Sequence, residues 1–247
     1  MRYNRFTMNF FLKNKLIFIF IILIVTIGLL ILTIALVNNH IKGTYYNETF
    51  ERQYAEETLL NESLYDFTVG NPSGRINLII YADTDCPFCQ KFEAAISELL
   101  RDYPNDVSVT YRQYKLPTYP TSHYEHLALE CIGIHKGSDA YRQFQNTVLY
   151  QTDLSDYPDP RQDALDLAVD FAEETERGDL TKCINSSETE ARIKNKLDTA
   201  NILGVRQTPT WFVITDTSEG YKKYVGSVSY QKLKWTINAS LSDNYLE

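Results

Sequence analysis

The hydropathy pattern divides the chain near residue 38. Residues 1–15 are polar and basic, with Arg2, Arg5, Lys13 and Lys15, and Leu16–Val37 is an uncharged apolar run. At 1.5 Å per residue that run makes a helix of roughly 33 Å, enough to span a hydrocarbon core. It exceeds the ~7–15 apolar residues of a cleavable leader and no A-x-A site follows it, so it reads as a retained membrane anchor. The basic flank then stays in the cytoplasm and the rest of the chain lies outside. Residues 38–70 are polar and read as a stalk, with one helical pattern at Glu51–Leu64. Beyond the turn signal Asn71-Pro72-Ser73-Gly74 the pattern is that of a folded domain, residues 71–247.

Within that domain Ile76–Tyr81 is apolar but for Asn77 and reads as a buried strand. Phe92, Ile96, Leu99 and Leu100 recur at i, i+4, i+7 and i+8, which buries one face of a helix over Pro87–Arg101. Tyr103-Pro104-Asn105 breaks it. Val107–Tyr114 alternates apolar and polar residues, the pattern of a half-buried strand, and Lys115-Leu116-Pro117 ends it. From Thr121 to Ala200 the pattern is helical, with candidate helices at His123–His135, Ala140–Tyr150, Arg161–Glu174 and Glu188–Leu203. Breaks fall at Lys136-Gly137-Ser138, Tyr157-Pro158-Asp159-Pro160 and Arg177-Gly178-Asp179. Trp211–Thr215 and Lys222–Val225 form a hairpin pattern with Gly220 in the turn, and Ser229–Ser240 closes the chain as a helix. The fold class is α/β, preceded by one transmembrane helix.

Charge narrows the function. A formal net charge of −8 argues against nucleic acid, whose phosphates need a basic surface. The mean hydropathy of −0.30, despite the apolar N-terminus, makes the remainder a polar domain.

The candidate chemistry sits where the first strand meets the first helix, in Asp83-Thr84-Asp85-Cys86-Pro87-Phe88-Cys89. The first cysteine falls at a helix N-terminus, where unpaired backbone N–H groups and the helix dipole stabilise a thiolate. Two thiols two residues apart on a first helical turn can close a disulfide, so the pair is a redox dithiol by its chemistry. A structural disulfide or half of a metal site are the alternatives.

This stretch resembles the active site of a thioredoxin-fold thiol–disulfide oxidoreductase, and more narrowly the DsbA-like branch, over about Arg75 to Leu241. The resemblance implies a thioredoxin core with a helical insertion at about 118–203. A second landmark, Gly204-Val205-Arg206-Gln207-Thr208-Pro209-Thr210-Trp211-Phe212, resembles the family's segment in which a cis-proline lies against the dithiol. The resemblance makes Cys86 the exposed nucleophile and Cys89 the resolving thiol, with Pro87 and Phe88 tuning the redox poise. Thr208 and Pro209 form the wall against which a substrate backbone pairs. Gly226-Ser227 resembles the family's closing glycine. Two departures from the family pattern stand out, and the nucleophile is expected to be less acidic than in the strongest oxidases. Phe88 stands where those carry a histidine, and Ile80 stands where the family places a buried acid. Asp83 and Asp85 are nearer the dithiol and read as solvated loop residues whose charge would raise the Cys86 pKa.

Cys131 and Cys183 fall where many relatives of this branch carry a second pair, which implies a structural disulfide. Free thiols, a second redox pair, or a zinc site shared with Cys86 and Cys89 are the other possibilities, the last without zinc-module spacing. His123 and His126, at i and i+3, lack a placed third ligand and read as surface or helix-start histidines. Phe171–Glu176 reads as a solvated acidic face and Ser187–Glu190 as a capping signal. Asn47, Asn61, Asn185 and Asn238 begin Asn-x-Ser/Thr triplets that chance explains. The expected function is introduction of disulfides into reduced secreted proteins at the cell surface or in the periplasm. The resemblance implies no metal, no organic cofactor, and reoxidation by a quinone-linked membrane partner of the DsbB or vitamin K epoxide reductase type. An isomerase or reductase in the same compartment, or a peptide-binding module without catalysis, are the competing functions.

Overall fold

The structure, a computed structural model, describes residues 23–38, 53, 54, 57, 59, 66–151, 159–215 and 221–242. The chain forms two compact units, residues 1–54 and 55–247. In the first, residues 23–38 are helical with their apolar side chains exposed. Among the described residues no helix is long and apolar enough to cross a membrane. The expected span over Leu16–Val37 is thus not found. Its described part falls short of the ~20 residues a crossing needs, and Leu16–Ile22 lie outside the described residues. Residues 53, 54, 57 and 59 are helical. The rest of the helix expected at Glu51–Leu64, and most of the expected stalk, lie outside the described residues.

The second unit is built on a five-stranded sheet in the order β1-β3-β2-β4-β5. Its strands are β1 (Phe67–Gly70), β2 (Ile76–Ala82), β3 (Val107–Gln113), β4 (Thr210–Thr215) and β5 (Tyr221–Val225). The β2–β3 pair is parallel and all other pairs are antiparallel. Alternation along β2 supplies two cores. Ile76, Leu78 and Ile80 join Phe92, Ile96 and Leu99 of helix α1 (Pro87–Asp102), while Ile79 and Tyr81 meet Phe212, Leu203 and Val205 on the opposite face. A strand covered on both faces needs no polar side, which is why every residue of β2 except Asn77 is apolar or aromatic.

β3 departs from its alternating pattern, because all seven of its residues are buried. Its polar side chains are satisfied inside the protein instead of by water. Thr110 bonds Thr68 and Asn77, and Gln113 donates to the His126 carbonyl. The Arg112 guanidinium grips the Asp66 carboxylate at 2.6 Å and donates to the Tyr81 hydroxyl. Strand β1 was expected to be stalk. Four residues are too short to show a period, and its anchor is tertiary. Phe67 stacks on Tyr141 with ring centroids 4.4 Å apart, and it packs so closely on Gly133 that a Cβ there would lie 2.3 Å from the ring.

Between β3 and β4 lie helices α2 (Ser122–Lys136), α3 (Ser138–Gln151), α4 (Pro160–Ala172), α5 (Arg177–Ile184) and α6 (Ser187–Ile202), with a 3₁₀ turn at Glu174–Glu176. Helix α7 (Tyr230–Ser242) returns to pack on α1. Helix α5 was not expected, since Arg177-Gly178-Asp179 reads as a break between the helices ending at Glu174 and starting at Glu188. Those residues instead open it, and Arg177 is tied back to Glu174 and Asp166. The cap of α6 is Ser186 rather than Ser187; its hydroxyl accepts from the Thr189 N–H at 3.1 Å. The Cys131–Cys183 disulfide joins α2 to α5 across a separation of 52 residues.

The candidate dithiol site

The end of β2 delivers the chain into Asp83-Thr84-Asp85, whose turn is closed by the Cys86 N–H donating to the Asp83 carbonyl. Cys86 is the N-cap of α1, with extended φ and ψ of −84° and 115°, and Pro87 occupies the first helical turn where its missing N–H costs nothing. The Cys86 carbonyl receives the Cys89 and Gln90 N–H groups, so the side chain alone faces the unpaired end of the helix. Both cysteines are free thiols. Cys86 was expected to be exposed, yet it is 3% exposed, as is Cys89, because Leu149 of α3 packs against both and Ala82 and Tyr119 flank them. Cys86 instead opens onto a groove of about 370 Å³ lined by Asp85, Pro87, Gln90, Tyr119, Pro120 and Leu149, among others.

On the other side of the sulfur, the Cys86 thiol donates to the Thr208 carbonyl at 3.5 Å. The Thr208–Pro209 peptide is cis. The Pro209 carbonyl accepts the N–H of Gly226, a residue at φ +86° that L side chains rarely adopt, so the glycine at this position has a backbone reason. Trp211 is fully buried behind this segment, stacked on Tyr224. Phe88 is 56% exposed, with the Lys91 ammonium 5.7 Å from its ring. Thus Cys86, Cys89, Thr208 and Pro209 converge, with Pro87 beside them at the groove and Phe88 on the surface. Cys131 and Cys183 are joined to each other, and so do not join the dithiol in a zinc site.

The electrostatics divide the two thiols. Cys86 is lowered to about 5, chiefly by the hydrogen bond from Cys89, against the opposing effect of burial. The Thr208 side chain and the backbone N–H groups of Cys89 and Phe88 add to the lowering. Cys89 is pushed well up by burial and by donating to Cys86. The expected opposition from Asp83 is weak for a structural reason. Asp83 is not solvated but fully buried, and burial raises its carboxyl to about 6. His126 was expected at the surface or a helix start and is also fully buried. Its Nε2 lies 3.8 Å from Asp83 Oδ1, but this is no ion pair, because burial and the charges of His123, Lys196 and Lys115 push the imidazole down to about 3. Sequence reasoning had no signal for this: Asp83 follows the strand in a turn, and His126 faces inward on a helix whose apolar stripe is broad. His123 does meet the surface, bonded to Glu190 at 3.2 Å. No group of three or more His, Cys, Asp or Glu among the described residues is arranged to hold a metal ion.

A thioredoxin-like sheet, a dithiol at a helix N-cap, an acidified first thiol and a cis-proline facing it define a thiol–disulfide oxidoreductase site. A family model described as Thioredoxin matches residues 62–239, and the chain belongs to that family. Two solved structures share the fold. Wolbachia pipientis alpha-DsbA1 is 20% identical with a TM-score of 0.66, covering 78% of this chain and 100% of that one. Pseudomonas aeruginosa DsbA2 is 22% identical with a TM-score of 0.59, covering 73% and 96%. Among curated proteins, the Na(+)/H(+) antiporter NhaA 1 of Mycobacterium sp. (strain KMS) is 25% identical over 153 residues. That alignment takes in 60% of this chain and 23% of the antiporter, so the chain spans about a quarter of that relative's length.

Proposed function

We propose that this thioredoxin-family oxidoreductase donates disulfides to reduced extracytoplasmic proteins through Cys86 and Cys89. The supporting observation is the Cys86 thiol, lowered to about 5 at the helix N-cap with the Thr208 carbonyl against it. A thiolate stabilised in the reduced dithiol makes the oxidised form a better donor, and about 5 lies between the ~7 of thioredoxin and the ~3.5 of DsbA. In the reaction a substrate thiolate attacks Cys86 of the Cys86–Cys89 disulfide, and Cys89 leaves. A second substrate thiolate then displaces Cys86, so the substrate gains a disulfide and the dithiol keeps the electron pair. The groove beside Cys86 receives the substrate, whose backbone pairs at Thr208. The domain works at the cell surface or in the periplasm, and a quinone-linked membrane protein of the DsbB or vitamin K epoxide reductase type reoxidises it.

The test is the redox equilibrium of the Cys86–Cys89 pair against glutathione, with Cys131 and Cys183 followed separately. A potential well above ~−270 mV, towards ~−120 mV, supports donation, whereas a value near ~−270 mV gives the reductase reading instead. Absence of exchange at Cys86 would leave only a peptide-binding module.

A further inference from the structure

The groove beside Cys86 is chemically one-sided. Thr208 does not border it, so it lies apart from the wall at which the substrate backbone pairs. Its charged side chain is Asp85, and no lysine, arginine or histidine among the described residues lines it. The Asp85 carboxylate is half-buried and held by the Thr121 hydroxyl, which donates to Oδ2 at 3.3 Å. The Asp85 backbone N–H donates to Asp83 Oδ1 at 3.2 Å, so the turn that carries the carboxylate is fixed. Tyr119 lines the same groove and packs against the dithiol. Pro87, Pro120 and Leu149 add apolar surface, and α3 is tied to α1 here by the Gln90 amide, which donates to the Leu149 carbonyl at 2.9 Å. Thr84, also in the lining, has a buried hydroxyl without a hydrogen-bond partner.

The local field is negative. The Tyr119 phenol is raised by burial and then by Cys86, Asp83, Asp85 and Cys89, each of which repels a further negative charge. Glu125, buried in α2, is pushed up to about 8 by burial and by the Asp85 charge. An acidic side chain entering the groove meets this repulsion with no lining cation to offset it. A lysine or arginine side chain meets a carboxylate for its charge, an aromatic ring beside it and apolar surface for its methylene stem.

We propose that this groove is a subsite for a lysine or arginine side chain flanking the substrate's reactive cysteine, paired with Asp85 and resting on Tyr119, so that the protein selects basic cysteine-containing segments. This rests on the exchange reading above. The chemical step is unchanged: the substrate sulfur bonds to the Cys86 sulfur as the Cys86–Cys89 bond breaks, and Cys89 takes the electron pair. The subsite acts on the approach of the substrate. Asp85 and Tyr119 are specificity-determining residues for the reaction at Cys86.

The experiment mixes the oxidised full chain with peptides that hold two cysteines on a flexible spacer, each flanked by Lys, Gln or Glu, and follows the peptide disulfide by acid quench and mass. Each rate is divided by that of the same peptide with hydroxyethyl disulfide, an uncharged oxidant, which removes the effect of a neighbouring charge on the peptide's own thiols. The corrected rate should be roughly ten-fold higher for the Lys peptide than for the Glu peptide, with the Gln peptide between them. D85N should lose most of that preference and D85K should invert it. Y119L should reduce it by roughly two- to five-fold. D179N removes an exposed charge of α5 outside the groove and should keep the wild-type ratio. A fall in D179N equal to that in D85N assigns the preference to net charge and overturns the subsite. A wild-type ratio near one, or a ratio unchanged in D85N, also overturns it and leaves exchange standing. If no peptide is oxidised, the exchange reading falls and the subsite with it. Should the Asp85 variants fail to fold, Y119L decides: a reduced ratio supports the subsite and an unchanged one overturns it.

Discussion

The molecule holds two cysteine pairs, and exposure does not mark the reactive one. Cys86 and Cys89 are each 3% exposed, Cys131 is fully buried, and Cys183 is only partly buried. What differs is the backbone around the sulfurs. Cys86 sits outside the first turn of α1, where the chain has N–H groups to spare, with a proline-turned carbonyl opposite and an open groove alongside. Cys131 sits in the middle of α2, where every nearby N–H is spent on the helix, and Cys183 lies in the last turn of α5. Their nearest polar company is one threonine, Thr189. The first pair is two residues apart and closes almost no loop, so its bond can be made or broken with little change in chain entropy. The second closes a 52-residue loop, and its value lies in what it denies the unfolded chain.

The largest expected effect separates the pairs outright. C86S should abolish exchange with glutathione, a loss of roughly a thousand-fold or more, whereas the double variant C131A/C183A should stay within about ten-fold of wild type. Equal losses in both would erase the distinction. The same double variant should lower the unfolding free energy by about 4 kcal/mol, measured by denaturant titration, with C86S close to wild type in that assay.

A third measurement uses protons. Burial lowers His126 from its ordinary 6.5 to about 3, so the folded state binds fewer protons than the unfolded chain between those values. The stability this group contributes is fully present above pH 6.5 and is lost as pH falls through the folded value near 3. H126Q should therefore flatten the acid limb of the stability curve, by up to ~5 kcal/mol across that window. The alkylation rate of Cys86 in the reduced protein should in contrast rise to half its plateau near pH 5, reporting its own thiolate. The smallest effect concerns the dipeptide. F88H places a hydrogen-bond donor beside the helix N-terminus and should shift the Cys86–Cys89 potential upward by roughly 30 mV, read in the glutathione equilibrium.

The dithiol and its proline were legible because their signals are local. A cysteine after a strand and before an amphipathic helix declares its own N-cap, and Thr208-Pro209 stands just before an apolar strand. The order of β2, α1, β3, β4, β5 and α7 was legible for the same reason, since each has its own period or boundary. What stayed hidden depends on partners far along the chain. β1 is four residues whose stability comes from Tyr141 and Gly133. The polar face of β3 resembles a wet face until Asp66, Thr68 and Asn77 are brought to it. Asp83 resembles a solvated turn residue until α2 and the segment after β3 close over it. The family resemblance placed Cys131 and Cys183 as a pair, which neither their spacing nor their neighbours could do.

One feature of the sheet bears on how the protein behaves among unfolded chains. Its two outer strands are β1, only four residues long and ending in Gly70 at φ +85°, and β5, which places Lys222 and Lys223 side by side. A short strand with a terminal kink and a strand with adjacent charges are poor templates for a further extended chain. The domain therefore carries blunted flanks, and its resistance to edge-to-edge association is written into the places where its own hydrogen-bonding ladder stops.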